Sequence, residues 1–468
     1  MSLSLSKKAF GFPLAIIIVL VGVLLPATEG LAHEGILALS VLFATVVLLI
    51  CETLPMGVTG LLALVVAAIL GIAPIGGVFS GFGTTTVIFA IAVFSLTAIV
   101  MKSDLAIRLT VFMVRIAGAK SSRLVLAFMI AGGLLSAIMN DSATLVLFLG
   151  FSDTVLEHAG HEKGKSRLAK CLYLGSAFAV FMGGMATPAG SSLNVLGLGL
   201  VEQITGQSIS FLGWTIAAAP VAILMIPVCW LAVIKIFKPE PISTESLASF
   251  VERANGLGRL SAEEIKTLIL IVGIPVLWIL GTWIPILNVT TVSVVGLALM
   301  CAPGMNLLTF EEFQKSVPWT IVIMIGAVLS IGGFVGATGG VAYFGELFLN
   351  SGIMALGVFL TFLIITAVIY FVHSVVPVGP AFATILIPPL MAYCIAAGYS
   401  PAIPAIILPC ILSGNMLFPM NPGLALSYKD NVYRFGEVFK AGIGPVMVLV
   451  VLLALWVPFA TSALGIAL

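Results

Sequence analysis

The sequence predicts an all-α polytopic membrane protein. It has two inverted-topology repeats after an extra N-terminal helix, each with five transmembrane segments (one interrupted) and a re-entrant hairpin. Three observations carry this. The 468 residues are 61% hydrophobic and only 8% charged, far from the quarter of charged residues a soluble domain needs. The apolar residues come in solid blocks of about 18 or more, as membrane helices require, without the alternation of a barrel. Breaks in those blocks recur at matching places in the two halves.

Read in order, Lys7 and Lys8 precede an apolar run to Pro26. It reads as a retained first helix within an N-terminal unit 1–34. The other reading is a signal peptide cut near Ala32. Full spans follow at 35–51, 57–73, 85–101 and 211–234, then at 267–284, 289–303, 319–336 and 441–462. Two further stretches, 168–201 and 401–428, are interrupted by Pro, Gly and polar residues. Hairpins are expected at 122–151 and 353–395; such backbone survives in a membrane only when buried in protein or lining a cavity. Lys102, Arg108, Arg115, Lys120 and Arg123 border an amphipathic interfacial stretch. The linker 239–265 separates a first repeat, 35–238, from a second, 266–468. Capping boxes are expected at Ser261–Glu264 and Thr309–Glu312.

With the N-terminus in the cytoplasm and the C-terminus outside, the outer segments, 337–352 among them, hold no Lys or Arg. All 20 basic residues then fall on the inner side, as the positive-inside rule asks. The inner or plasma membrane is the expected location. The repeat shows in spacing. Pro188 lies 48 residues beyond Asn140, and Pro422 lies 48 beyond Ser374. Inverted repeats with helices broken at matching positions point to a secondary transporter.

The chemistry sits at the breaks. The first tip is Asn140-Asp141-Ser142-Ala143-Thr144, and the first interrupted helix carries GGMATPAGSSLN, Gly183 to Asn194. The second tip is HSVVPVGP, His373 to Pro380, and the second interrupted helix carries NMLFPMNPG, Asn415 to Gly423. New helix N-termini attract anions and new C-termini attract cations. None of these segments holds Lys or Arg, so an anion must be held by N–H groups, hydroxyls, amides and bound cations. Asp141 has three readings: a Na+ ligand, a proton carrier, or a brace for the tip. His373 lends positive charge to an anion, shuttles protons with Asp141, or hydrogen-bonds structurally. The six cysteines are scattered, without a CxxC pair, and read as small core residues. His158, His161 and Glu162 read as a solvated loop. Asn288-Val-Thr, a glycosylation triplet in a very short outer loop, carries little meaning. No nucleotide-binding loop or catalytic-serine motif occurs, so the chain reads as no enzyme, with energy from an ion or substrate gradient.

The segments GFGTTTVIFAIAVFSLTAIV and GGMATPAGSSLN, with the "FLGW" and "GEVF" helix starts ahead of Pro220 and Pro445, resemble the divalent anion/Na+ symporter family. The likeness covers roughly 35–468. It implies a homodimer in the bilayer with a fixed and a moving part, working as an elevator. It implies a small anionic substrate such as a dicarboxylate, citrate or sulfate, Na+ as coupling ion and no cofactor. The family's tips read Ser-Asn-Thr; here the first is Asn140-Asp141-Ser142 and the second Ser374-Val375-Val376. Gly190, Ser191, Ser192, Leu193 and Asn194 stand where the family has Gly-Thr-Pro-Pro-Asn. The expected substrate residues are Asn140, Asp141, Ser142, Thr187, Ser191, Ser374, Asn421, Pro422 and Gly423. The expected Na+ ligands are Asn140, Asp141, Gly190, Asn194, Ser374 and Asn421. Proton coupling, anion exchange, a channel and an intramembrane enzyme are the alternatives.

Overall fold

The computed structural model describes residues 2–118, 120–242, 252, 256, 258–350, 352, 356–428 and 432–463. Most of the linker and the start of the second hairpin, 353–355, therefore lie outside the described residues. The described chain is helical, with one isolated β-bridge, between Thr28 and Leu31. Eight of the described helices are long and apolar enough to cross a membrane: His33–Ile50, Thr85–Lys102, Arg167–Met185, Phe211–Phe237, Trp319–Ala337, Gly357–Val375, Gly379–Ala396 and Phe435–Ser462.

Side chains fix where the helices start. Thr84, Ser166, Ser210 and Asn288 each accept a backbone N–H of the turn they open, satisfying donors that helix geometry leaves free. Ser261 with Glu264, and Thr309 with Glu312, form capping boxes. The short turn Ser80–Gly83 leads into Thr85–Lys102. There the Gly81 N–H donates to the Ser330 hydroxyl at 3.0 Å, docking this turn on Trp319–Ala337. At the start of the same helix, Thr85 and Thr86 hydroxyls donate to the Glu202 carboxylate at 3.0 and 3.1 Å.

Arg167–Met185 is the axis of the molecule, with nearly every residue buried. It packs against Ser121–Ser136, Asp141–His158 and Phe211–Phe237. Between chains of apolar side chains in lipid, close backbone approach by small residues replaces the hydrophobic drive. A Cβ on Gly183 would fall 2.1 Å from the Gly133 carbonyl oxygen, so these two glycines let the axis touch the first hairpin arm backbone to backbone. The two halves join where Phe211–Phe237 packs along Phe435–Ala463, with Trp456 Nε1 donating to Ile216 O at 3.1 Å.

Ion pairs clip the polar segments. Lys170 meets Glu437 at 2.6 Å across the halves. Arg108 reaches Glu264 at 2.6 Å, which holds the Glu264 carboxyl below its ordinary range. Burial opposes the charged form of Glu240, yet the N–H groups of Arg167 and Leu168, at 2.8 and 2.6 Å, bring its pKa down to about 2. The helix Gly340–Asn350 was not expected from the sequence, where 337–352 reads as an outer segment; it packs on Gly379–Ala396.

Gly183→Ala is expected to destabilise the protein by about 1–3 kcal/mol, the range for overpacking a tight contact, and to lower the detergent-solubilised melting temperature. Gly150→Ala, where an added Cβ meets nothing within 4 Å, is the control that should not lower it.

Candidate functional site

The first hairpin turns between Ser136 and Asp141. Asn140 caps its second arm, Oδ1 accepting the Ser142 N–H at 3.1 Å. The Asp141 carboxylate accepts the same N–H at 2.7 Å. Asp141 is half-buried and Ser142 is exposed. The tip is tethered on both sides. Its Asn140 N–H donates to Thr97 Oγ1 at 3.1 Å, and its Asp141 N–H donates to the Gly190 carbonyl at 3.2 Å. The Thr187 hydroxyl donates to Ala137 O.

The first interrupted helix stops at Met185 and resumes at Ser192. Ser191 caps the new start. Buried Asn194 spans the gap: its Nδ2 donates to Gly184 O at 2.8 Å and Thr187 O at 2.7 Å. Among the described residues its Oδ1 has no hydrogen-bond partner, nor does the buried Ser136 hydroxyl. Trp214 Nε1 closes the other edge by donating to Met185 O at 3.1 Å. The space is tight. A Cβ on Gly184 would lie 3.3 Å from both Asp141 Cβ and Ser136 Oγ, and one on Gly190 would lie 2.4 Å from Gly184 O. Small residues here let a backbone and a carboxylate share one small volume.

The second half is built in the same way from other side chains. The helices Gly357–Val375 and Gly379–Ala396, where a hairpin was expected, are each long and apolar enough to cross a membrane; the chain turns between them, and the next helix stops at Leu412 and helix resumes at Pro422. Asn415 bridges this region. Its Nδ2 donates to Ser374 O at 3.2 Å, and its Oδ1 accepts the Leu417 and Phe418 N–H groups at 2.9 and 3.3 Å. Buried His373 bonds Leu412 O through Nε2 at 3.1 Å. Ser374 donates to Tyr370 O at 2.7 Å, and Asn421 Oδ1 accepts the Gly423 N–H at 2.8 Å.

The two breaks meet. Ser413 Oγ lies 2.9 Å from Ser191 Oγ. The contacts therefore run from Asp141 through Gly190 and Ser191 to Ser413, Asn415 and Ser374. Phe181, on the axis helix, is wedged between the second break's glycines: Cβ atoms on Gly414 and Gly423 would fall 2.5 and 2.8 Å from it. The structure thus gathers Asn140, Asp141, Ser142, Thr187, Gly190, Ser191 and Asn194 into one cluster. Ser374 joins it through Asn415 and Ser413, while Gly423 approaches through Phe181 and no hydrogen bond among the described residues brings Asn421 or Pro422 to the first tip. Among the described residues no hydrogen bond links Ser374 or Asn421 to the first tip directly. Sequence reasoning missed Thr97, Trp214, Tyr370 and Ser413; Asn415, which stands in a quoted motif, was not marked as a site residue.

Broken helices whose ends are satisfied by one another in the interior of a polytopic helical protein define a membrane transporter. The chain belongs to the sodium:sulfate symporter family: the family's "Sodium:sulfate symporter transmembrane region" matches residues 6–462. It is similar to a "Membrane protein" of Cupriavidus necator, with 24% identity over 82% of this chain and 78% of the other. It is also similar to the sodium-dependent dicarboxylate transporter SdcS of Staphylococcus saprophyticus, with 22% identity over 84% and 79%. In fold it is similar to the YdaH transporter of Alcanivorax borkumensis, with a TM-score of 0.55 at 15% identity, over 82% of this chain and 87% of that one.

Asn194→Ala strands the Gly184 carbonyl, while Thr187 O keeps the Gly190 N–H at 3.3 Å. It is expected to cost about 1–3 kcal/mol for that acceptor left without a partner, read as a lowered melting temperature; an unchanged one would show that the break does not lean on this side chain.

Proposed function

We propose that this protein is a Na+-coupled secondary carrier of a small anion of the dicarboxylate, citrate, sulfate or sulfonate kind. The observation that carries the reading is the contact chain from Asp141 to Ser374, which brings four backbone breaks to one place with no Lys or Arg in the segments that form it. Helix N-termini at Asp141 and Ser192 offer N–H dipoles to an anion. Oxygens of Asp141, Asn140, Gly190 and Asn194 offer a hard cation the ligands it prefers, with Ser374 and Asn421 as the second set. The unpartnered Asn194 Oδ1 supports this assignment. The family, and the printed name of the Staphylococcus relative, support Na+ and an anion.

The two halves then act as inverted repeats, 35–238 and 266–468, joined by the linker. The breaks move as a unit in an elevator within a homodimer, with the N-terminus cytoplasmic. An ionised Asp141 beside an anion is repulsive, about 4 kcal/mol at 4 Å and an effective dielectric of 20. A cation at Asp141 therefore has to arrive with the substrate, which is the physical origin of coupling in this scheme.

In liposomes with a panel of labelled anions, an inward Na+ gradient is expected to drive saturable uptake. Asp141→Asn is expected to cut that uptake about tenfold or more and to flatten its Na+ dependence. Full activity with unchanged ion dependence in the mutant would refute the role given to Asp141. Uptake following a proton gradient instead would assign the coupling to protonation of the same carboxylate.

A further inference from the structure

None of the site residues above lies on the N-terminal helix Ser2–Leu24. This helix packs along His33–Ile50, and two glycines set how closely. A Cβ on Gly11 would collide with Thr53 Oγ1, and one on Gly22 with the Ser40 side chain, so the two helices run antiparallel. Met56–Ile69 also packs on His33–Ile50. The three helices enclose a groove of about 210 Å³ with His33–Ile50 as its floor.

The groove is apolar. Phe12 and Leu20 stand on one wall, Ala44 and Leu48 on the floor, and Leu62 and Val66 on the other wall. Its one polar lining residue, Thr45, has its hydroxyl taken by Val41 O at 2.7 Å. From Phe12 to Leu20 the groove runs about 12 Å along the helix. A protein helix is too thick for it: at about 10 Å across, a 12 Å length fills roughly 900 Å³. A single hydrocarbon chain is thin enough, and the bilayer supplies one.

One turn before Phe12, on the same helix face, Lys8 lines a second cavity of about 340 Å³ with Leu49, Glu52 and Met56. Leu49 adjoins Leu48 of the floor, and Met56 opens the helix of the far wall, so this cavity is the groove's mouth. Glu52 lies two residues beyond the span His33–Ile50, at the level where lipid headgroups begin. Lys8 and Glu52 are exposed, and neither has an ion-pair partner among the described residues. A cation and an anion thus face one cavity without meeting.

We propose that the groove is a phospholipid site. One acyl chain lies along Phe12–Leu20, and a zwitterionic headgroup fills the mouth, its phosphate at Lys8 and a primary ammonium at Glu52. That is the chemistry of phosphatidylethanolamine. A phosphatidylglycerol headgroup pairs with Lys8 but brings no cation to Glu52. A choline headgroup brings the charge but no N–H to donate, and so forgoes the charge-assisted hydrogen bond. The bound lipid ties the N-terminal helix to Met56–Ile69 across the groove. This inference stands apart from the carrier reading.

The test uses the full chain, purified in detergent and stripped of lipid. Phosphatidylethanolamine, phosphatidylcholine and phosphatidylglycerol with the same acyl chains are added back singly. One-to-one binding is read by native mass spectrometry, and by melting temperature, which a ligand of the folded state raises. Phosphatidylethanolamine is expected to bind at concentrations about fivefold or more below the other two, a difference of the size one exposed ion pair supplies. Glu52→Gln is expected to remove its advantage over phosphatidylglycerol, and Lys8→Gln to weaken all three. Equal binding of the three lipids by the wild type overturns the proposal. So does an advantage that persists in Glu52→Gln, or binding unchanged in Lys8→Gln. A changed oligomeric state in Glu52→Gln, with no lipid preference in the wild type, would give this face to a second copy of the chain and overturn it too.

Discussion

A helix interrupted inside a bilayer leaves N–H and C=O groups with no water to meet them, each costing several kcal/mol if unpaired. The rest of this structure follows from how that constraint is met. Asn194 spans the first break by holding Gly184 O and Thr187 O. Asn415 serves the second by holding Ser374 O while accepting two N–H groups. Trp214 and Tyr370 take further ends, at Met185 O and the Met416 N–H. Two amides of the same type, in the two halves, perform parallel tasks with different partners.

Satisfying the breaks needs close approach, and close approach needs small residues. Gly133 against Gly183, and Gly184 against Gly190, bring backbone to backbone at the first tip. At the second break a large residue does the opposite: Phe181 fills the space that Gly414 and Gly423 leave. The axis helix Arg167–Met185 thereby contacts both halves of the site, and the Ser191–Ser413 contact joins the breaks directly. Groups so tightly interlocked would move together, as the proposed carrier requires.

The helices, the two capping boxes and the positions of the breaks were legible in the sequence, because each depends on neighbours along the chain. The polar tip at Asn140–Ser142 was legible for the same reason: a carboxylate inside an apolar run stands out. Gly340–Asn350 was not, since its Gly-rich start and Glu346 read as a loop. The partners of the breaks were also hidden. Trp214 reaches back 29 residues to Met185, and Ser413 meets Ser191 across 222. No periodicity carries such pairings; they exist only once the helices have packed. His373 was noticed for its charge, whereas the structure ties it to Leu412 O.

The central claim is that a site whose motifs hold no Lys or Arg binds an anion only in company with a cation. The direct measurement is equilibrium binding of the transported anion to purified protein, with Na+ exchanged stepwise for choline. The account predicts that anion affinity rises about tenfold or more with Na+, and that Na+ affinity rises by the same factor with the anion, as linkage demands. Equal anion affinity with and without Na+, at every pH tried, would contradict it.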